Sequence, residues 1–492
     1  MYISTNNNDI QQCLNTLYLK RLLQARENEK NLGGMIMSMK RKAVSLLSLL
    51  TLPMVLAACG NSGGSSNGDR AEGKTEIKIT WRNTGENDKM TQYLEETFIP
   101  EFEKENEDIK IVLSPITASE GDYFSKVALS MQSESTAPDV VAEDSFMLNS
   151  DANAGYLTNL DEYVADWDQW DNYTENLKAG VIAEDGSTYA IPGTSDSRGI
   201  WYNKNVFKKA GLPEDWQPTT WGEIIEAAEA IKASDENVIP LGLGVAKANG
   251  ESVSMQTFQM LLYGTQDTLF DSETRKWQVN TQGIIDSLAF IDEVYNQKQL
   301  GPSLSVAINS NYGSVMFQDK FPNDEVGMLL DGFWSAGNWA ENGATPVENM
   351  TERFGFAAMP TQNGGEPPFT TMSGGWTWAI PEKAQNKEAS WRVVQALGGK
   401  EQQAARAIAE GNLTVRDDSA EIAEYKEQPF IEQATSFLQY AHFRPADDKY
   451  PNVSVEIQTM VEAVATGSKT PEEAASDYAA NVTRIVGEDA ID

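Results

Sequence analysis

From Lys74 onward the chain alternates short apolar runs of period two with longer stretches of helical period, and this alternation argues for an α/β fold. Ile77, Ile79 and Trp81 alternate with polar residues as a strand. Tyr93, Leu94, Phe98 and Phe102 recur at helical spacing, and Ile109, Ile111 and Leu113 alternate again, giving a β-α-β opening. A second helical stretch, Tyr123 to Met131, leads into Ala137-Pro138-Asp139-Val140-Val141-Ala142, a short strand of the buried type, after which the unit repeats.

Helix starts downstream are well marked. Thr220-Trp221-Gly222-Glu223 predicts a capping box, and Thr470-Pro471-Glu472-Glu473 adds a first-turn proline to the same device. Residues 283–295 predict an amphipathic helix. There is no coiled coil, no repeat of fixed period and no second long linker, so any two lobes are joined by short crossings.

Composition removes several functions. With 38 basic and 73 acidic residues the formal charge is −35, which repels phosphate backbones and anionic lipid, so no nucleic-acid partner is expected. Two cysteines, Cys13 and Cys59, and one histidine, His442, cannot build a disulfide framework, a Cys/His zinc site or a His-based triad. Gly242-Leu243-Gly244-Val245-Ala246-Lys247 has lysine where a dinucleotide fingerprint needs its third glycine. The stretch from Asn149 to Gly155 has its turn glycine one place late for a calcium loop, and Leu160 stands where a bidentate glutamate belongs. No cofactor and no metal are expected. A two-carboxylate glycosidase remains compatible with the composition.

The N-terminus reads as an address. Met39-Lys40-Arg41-Lys42 precedes an apolar run from Ala43 to Ala58, shorter than the ~20 residues a membrane-crossing helix needs. Leu56-Ala57-Ala58-Cys59 resembles a bacterial lipobox, which implies cleavage before Cys59 and a diacylglyceryl group on its thiol. The expected organisation is an upstream extension 1–34 outside the translated protein, a lipoprotein signal 35–58, and a flexible Gly/Ser tether 59–74. That implies anchoring at the outer face of the cytoplasmic membrane, in a Gram-positive cell, with the membrane touched through the lipid alone.

Two tryptophan groups point to a ligand. Asp331-Gly332-Phe333-Trp334 follows the apolar strand Val326 to Leu330, and Ser373-Gly374-Gly375-Trp376-Thr377-Trp378 runs into Ala379-Ile380-Pro381. Glycine beside tryptophan at a strand end lets a ligand approach the backbone while a flat ring stacks on it. Sugars offer a C–H-rich face and an equator of hydroxyls, so their sites combine aromatics with Asp, Asn and Arg. Trp334, Gly375 and Trp376 are candidates, and Trp378 is assigned to packing.

Thr194-Ser195-Asp196-Ser197-Arg198 places an Asp-x-Arg pair just before a strand. The following Trp201-Tyr202-Asn203-Lys204, Phe207, Lys209-Ala210-Gly211-Leu212 and Pro218-Thr219-Thr220-Trp221-Gly222-Glu223 resemble the signature of family 1 extracellular solute-binding proteins, the substrate receptors of carbohydrate ABC importers. Pro138-Asp139-Val140, Ala154-Gly155-Tyr156-Leu157-Thr158-Asn159-Leu160, and Gly327-Met328 with Gly332 and Trp334 match the same family in order. The resemblance implies two α/β lobes of the periplasmic-binding-protein type joined by hinge crossings, with ligand in the cleft between them. Lobe one is expected at 75–193 plus 326–378 and lobe two at 194–325 plus 379–492. Tyr440-Ala441-His442-Phe443-Arg444-Pro445 and Tyr450-Pro451-Asn452 resemble a segment of maltose- and trehalose-binding relatives, which implies that Arg444 reaches sugar hydroxyls; the inserted Asp447-Asp448 departs from it. Asn83, Glu86 and Asp144 stand where lobe-one cleft loops are expected, beside Asp196 and Arg198, and His442 is read as a core or rim residue. The expected protein is a monomeric, non-catalytic receptor that hands an oligosaccharide, an α-linked di- or trisaccharide, to a permease pair. A surface glycoside hydrolase and a receptor for a non-sugar solute are the alternatives.

Overall fold

The structure, a computed structural model, describes residues 73–85 and 88–492. The signal, nearly all of the tether, Cys59 and Glu86 lie outside the described residues.

The strands that position the site are, in chain order, β1 (Thr75–Thr80), β2 (Ile109–Leu113), β3 (Val140–Asp144), β4 (Ala190–Pro192), β5 (Arg198–Asn203), β6 (Ile239–Gly242), β7 (Val326–Gly332), β8 (Phe354–Ala357), β9 (Met359–Pro360), β10 (Phe369–Met372), β11 (Trp376–Ala379) and β12 (Ala441–His442). The first sheet has the order β2-β1-β3-β11-β4: β1 is parallel to β2 and β3, and β11 is antiparallel to both its neighbours. The second has the order β8-β5-β7-β6, and a smaller one joins β9, β10 and β12. The β-α-β opening is therefore as the alternation predicts. Every residue of β3 is buried, as for a strand covered by helices on both faces.

The helix over 89–105 carries the apolar spacing expected of it, with one adjustment. Leu94–Phe98 widens into a π turn just ahead of Pro100, whose missing N–H and bulky ring interrupt regular α-helical bonding. Thr470 and Glu473 form the full reciprocal capping box. Thr220 forms only half of one: its hydroxyl accepts from Glu223 N, but the Glu223 carboxylate turns to Thr219 N and Oγ1 instead.

The lobe boundaries differ from those expected. β7 and β8, expected in lobe one, lie in the second sheet, where β7 is flanked by β5 and β6. Of residues 326–378, only the end starting at Trp376 joins the first sheet. The helix Lys387–Leu397, expected in lobe two, packs in lobe one, where Trp391, Val393, Val394 and Leu397 share a core with Ile77, Ile79, Val140 and Trp378, and the helix Lys400–Glu410 lies between the two lobes, with Ala405 and Ala409 against that core and Ala404 and Ala407 in a core with Trp201 and Trp339. The cause is that a strand's own residues report that it is buried, not which strand it pairs with. Val326 to Leu330 are all buried, which fits the middle of either sheet.

A second core gathers Trp201, Phe321, Trp339, Phe354 and Phe356 in lobe two. A third is continuous from Tyr123, Phe124, Val141 and Phe146 on the first sheet's side to Met255, Phe258 and Tyr450 on the other. Two crossings run side by side between the sheets, 193–197 from β4 to β5 and 373–375 from β10 to β11. Gly193 N and Thr194 N both donate to Trp376 O, at 2.9 and 3.0 Å, and the Ser195 and Ser373 hydroxyls are 3.3 Å apart. Ser195 also exchanges two backbone bonds with Leu413, bringing a third segment to the same place. No helix among the described residues is long and apolar enough to cross a membrane.

Candidate functional site

The site is assembled where the carboxyl end of β3, the two crossings and the segment after β12 converge. In the first sheet Asp144 stands opposite Trp376, so the antiparallel insertion of β11 sets a carboxylate beside an indole. The helix Glu120–Met131, whose N-terminus is capped by Ser119 Oγ, supplies Tyr123 and Phe124. Phe124 lies nearly parallel to Trp376, with centroids 5.9 Å apart and 18° between planes, while Tyr123 meets the same ring edge-on at 5.8 Å. Trp376 is partly exposed, whereas Trp378, two residues on, is fully buried with the Arg406 guanidinium 4.7 Å from its ring centroid. The assignment of Trp378 to packing agrees with this.

Arg444 enters from the other side. Its strand β12 pairs with β10, and the chain then turns so that the guanidinium lies over Phe146 at 4.7 Å. Nη2 donates to Asp144 Oδ1 at 2.5 Å and to Ser145 Oγ at 3.0 Å, and Nη1 stands 3.8 Å from Glu251. Glu251 is buried and accepts from Tyr450 Oη at 2.5 Å and from Ser454 Oγ, while Gln259 Nε2 donates to Tyr450 Oη at 2.8 Å. Burial pushes the Glu251 carboxyl up to about 7, with Arg444 and the two hydroxyls pulling the other way.

The second pair is Asp196 and Arg198, an ion pair with Asp196 Oδ1 also accepting from Gly374 N at 3.0 Å. Arg198 Nη1 donates to Met372 O at 3.0 Å, and its guanidinium lies 4.8 Å from the Trp334 ring centroid. Trp334 rests on Gly332, where a Cβ would come within 2.0 Å of the indole. Asp331, beside this group, takes a hydrogen bond from Ser335 Oγ at 2.7 Å, and burial raises its carboxyl to about 6.

The glycines are required by contact as well as conformation. Gly375 has φ +148°, and a Cβ there would stand 1.8 Å from Thr194 O; at Gly374 it would stand 2.6 Å from Arg444 Nη2. Asp144, Asp196, Arg198, Trp334, Gly375, Trp376 and Arg444 are thus joined in one continuous group.

The remaining candidates stand differently. Asn83 is committed to its own loop, donating to Thr91 Oγ1 at 3.1 Å and accepting from Gly85 N at 2.9 Å. His442 lies against Tyr263, with ring centroids 4.6 Å apart, and its carbonyl accepts from Ser373 N; burial lowers its pKa. Asp447 and Asp448 pair with Arg275 and Lys449 respectively. The carboxylates of Glu184, Asp447 and Asp448 approach one another; Arg275 pairs with Glu184 and Asp447, and Lys449 with Asp448.

Sequence reasoning missed Glu120, Phe124, Phe146 and Glu251. Phe124 and Phe146 carry the same apolar signal as any core residue. Glu251 and Glu120 are each single acids at the start of a helix, and neither has a period or a neighbour that sets it apart. Burial raises the Glu120 carboxyl, Arg82 opposing this, and Asp144, Arg444 and Arg198 also act on it.

Comparison with known proteins shows the family and the fold. Residues 87–404, well over half of the chain, match the bacterial extracellular solute-binding protein family. The chain belongs to that family. A binding protein of Brucella abortus is 23% identical over 406 residues, covering 77% of this chain and 93% of that protein. The maltooligosaccharide ABC transporter solute-binding lipoprotein of Streptococcus pneumoniae is 24% identical over 376 residues, 74% of this chain and 78% of the relative. Among solved structures, a solute-binding protein of Thermotoga lettingae bound with α-D-tagatose superposes with a TM-score of 0.72 at 23% identity, over 84% of this chain and 100% of that one. A Streptomyces glaucescens receptor, solved unliganded and with acarbose, gives 0.72 at 21% identity, over 84% and 99%. The fold is the two-lobed α/β fold of sugar-binding proteins of ABC importers, and the relatives and neighbours described here are binding proteins.

Proposed function

We propose that this solute-binding protein is a cell-surface receptor, anchored through a lipid on Cys59, that binds an α-linked di- or trisaccharide between its lobes and delivers it to an ABC importer without chemical change. The observation that carries this reading is the placing of an aromatic group, Trp376 on Phe124, directly beside two arginine–carboxylate pairs at the crossings. A ring offers dispersion to the C–H face of a sugar, and paired ions offer both donors and acceptors to its hydroxyls. The maltooligosaccharide-binding relative supports the ligand class. Relatives named as sn-glycerol-3-phosphate-binding proteins match over 42% of this chain at 25% identity, but a phosphate would meet Asp144, Asp196 and Glu251 around the two arginines, and the pairing already neutralises both cations. Delivery without chemistry is supported by the relatives, which are named as binding proteins.

The test is a thermal-shift screen of the protein against α-glucosides, other neutral oligosaccharides, amino acids, polyamines and glycerol 3-phosphate, because a ligand that binds only the native state raises its melting temperature. A rise with maltose or maltotriose, recovered unchanged afterwards, is the expected result. A rise with a charged solute alone overturns the ligand, and release of new reducing ends overturns the absence of chemistry.

A further inference from the structure

Behind Arg444 lies a row of polar side chains inside an apolar core. Tyr450, Ser454 and Gln458 recur every four residues along the helix Tyr450–Ala465, so they share one face of it. They meet Glu251 and Gln259 of the helical stretch that starts at Glu251. All five side chains are buried. Gln458 Nε2 donates to Ser454 Oγ at 2.9 Å and Ser454 Oγ to Glu251 Oε2, while Tyr450 Oη donates to Glu251 Oε1 at 2.5 Å and itself accepts from Gln259 Nε2 at 2.8 Å. Such a row gains little stability over an apolar one of the same shape, and the neighbouring Val453, Ile457 and Val461 of the same helix are apolar. Its mechanical result is specific: each oxygen of one buried carboxylate is bonded, so the group is fixed in place.

That carboxylate faces Arg444. Its Oε1 stands 3.8 Å from Nη1, while the other terminal nitrogen, Nη2, carries the bonds to Asp144 and Ser145. We propose that Glu251 is a positioning residue for Arg444: the buried row holds the carboxylate, the carboxylate aims the guanidinium, and the guanidinium meets the hydroxyls of a saccharide. This deepens the proposed receptor function and rests on it. The consequence is that affinity follows the ionisation of Glu251, because the charged form draws Nη1 toward it and the neutral form does not. Burial is the largest influence on that ionisation and moves it up to about 7; Arg444, Ser454 and Tyr450 oppose burial, and Glu120 adds to it. Arg444 is acted on in turn by Asp144, Glu251, Tyr450 and Asp196. Affinity for a neutral saccharide is therefore expected to rise with pH as Glu251 loses its proton.

Calorimetric titration of the intact protein with maltotriose, from about pH 5.5 to about pH 8.5, tests this. The wild type is expected to bind about tenfold more tightly at the upper end, the worth of one bond to a charged group. Glu251→Gln, which has the shape of the protonated acid, is expected to be flat in pH at the weak affinity that wild type reaches in acid. Glu251→Asp keeps the charge and is expected to keep the rise. Arg444→Lys replaces the planar fork by a point charge that needs no aiming, so the rise is expected to shrink in it to about twofold or less. A Glu251→Gln protein that retains the rise, a wild type that binds with no rise, or a full rise in Arg444→Lys overturns the positioning role, the last because Glu251 would then act on the ligand itself. Should Glu251→Gln fail to fold by circular dichroism, Ser454→Ala decides by the same titration. It removes one of the two bonds that hold the carboxylate and is expected to weaken binding at the upper pH end alone, and an equal loss at every pH overturns the role. Absence of saccharide binding by the wild type at every pH overturns the receptor reading, and the positioning role with it.

Discussion

Trp376 and Asp144 are neighbours across two antiparallel strands that lie more than two hundred residues apart in the chain. The sheet thus places an apolar ring and a carboxylate at one strand end, and the crossing residues 373–375 deliver the ring there. A change at either residue acts on the same few ångströms of surface.

Trp376→Ala is expected to weaken saccharide binding by more than tenfold while costing less stability than Trp378→Ala. Trp378 is fully buried, so its truncation is expected to cost about 3–5 kcal/mol. Calorimetric titration with maltotriose and thermal melts of the two ligand-free variants make the comparison. Equal stability losses would place Trp376 in the core.

Gly375→Ala is expected to lower stability by about 3 kcal/mol or more, because φ +148° and a Cβ 1.8 Å from Thr194 O cannot both be accommodated by an alanine. Gly121→Ala, at a position where a Cβ meets nothing within 4 Å, serves as the matched control and is expected to be neutral or slightly stabilising. Urea denaturation of both variants measures the difference.

The acid groups predict a pH slope of defined sign. Burial raises Glu251 and Asp151 to about 7, and raises Glu143, which has no hydrogen-bond partner for either carboxylate oxygen, in the same direction. Between the ordinary carboxylate range and these raised values the native state holds protons that the unfolded chain has released. Stability therefore falls as pH rises from about 4.5 to 7. Glu251→Gln is expected to flatten part of that slope, on the order of 3 kcal/mol across the window. Melting temperatures at half-unit pH intervals test this, and a slope unaltered by the substitution would count against Glu251 as a source.

Thr470→Ala removes a complete capping box and is expected to cost about 1 kcal/mol without changing affinity for any ligand. Thr220→Ala, where only one of the two reciprocal bonds exists, is expected to cost less. Chemical denaturation of each variant against wild type provides the comparison.

What could be read from the sequence follows the range of the interaction that encodes it. The β-α-β opening is written in the spacing of Ile77, Ile79, Phe98, Phe102, Ile109 and Ile111, and each of those residues is buried where the period places it. Six of the seven grouped candidates carried local marks, glycine beside tryptophan, aspartate two places from arginine, arginine before proline, while Asp144 was marked only by its place after an apolar run. The sheet to which Val326–Gly332 belongs carried none, because pairing is decided by residues far away in the chain. Asn83 has the composition of a cleft residue, yet its amide is taken up by Thr91 and Gly85, a competition that only the folded loop reveals. Glu251 is ordinary as a letter and acquires meaning only from Arg444, Tyr450 and Ser454.

The two crossings bonded through Trp376 O carry Asp196, Gly374 and Gly375 within the very peptides that connect the lobes. On the proposed receptor reading, recognition and pivot share covalent structure. A substitution that adapts this protein to a different ligand at those positions would also alter the stiffness and rest angle of its joint, so changes of diet at this site would be bought with changes in mechanics, and variants that alter preference alone are to be sought farther out, on the helix bearing Phe124 or the helix that starts at Glu251.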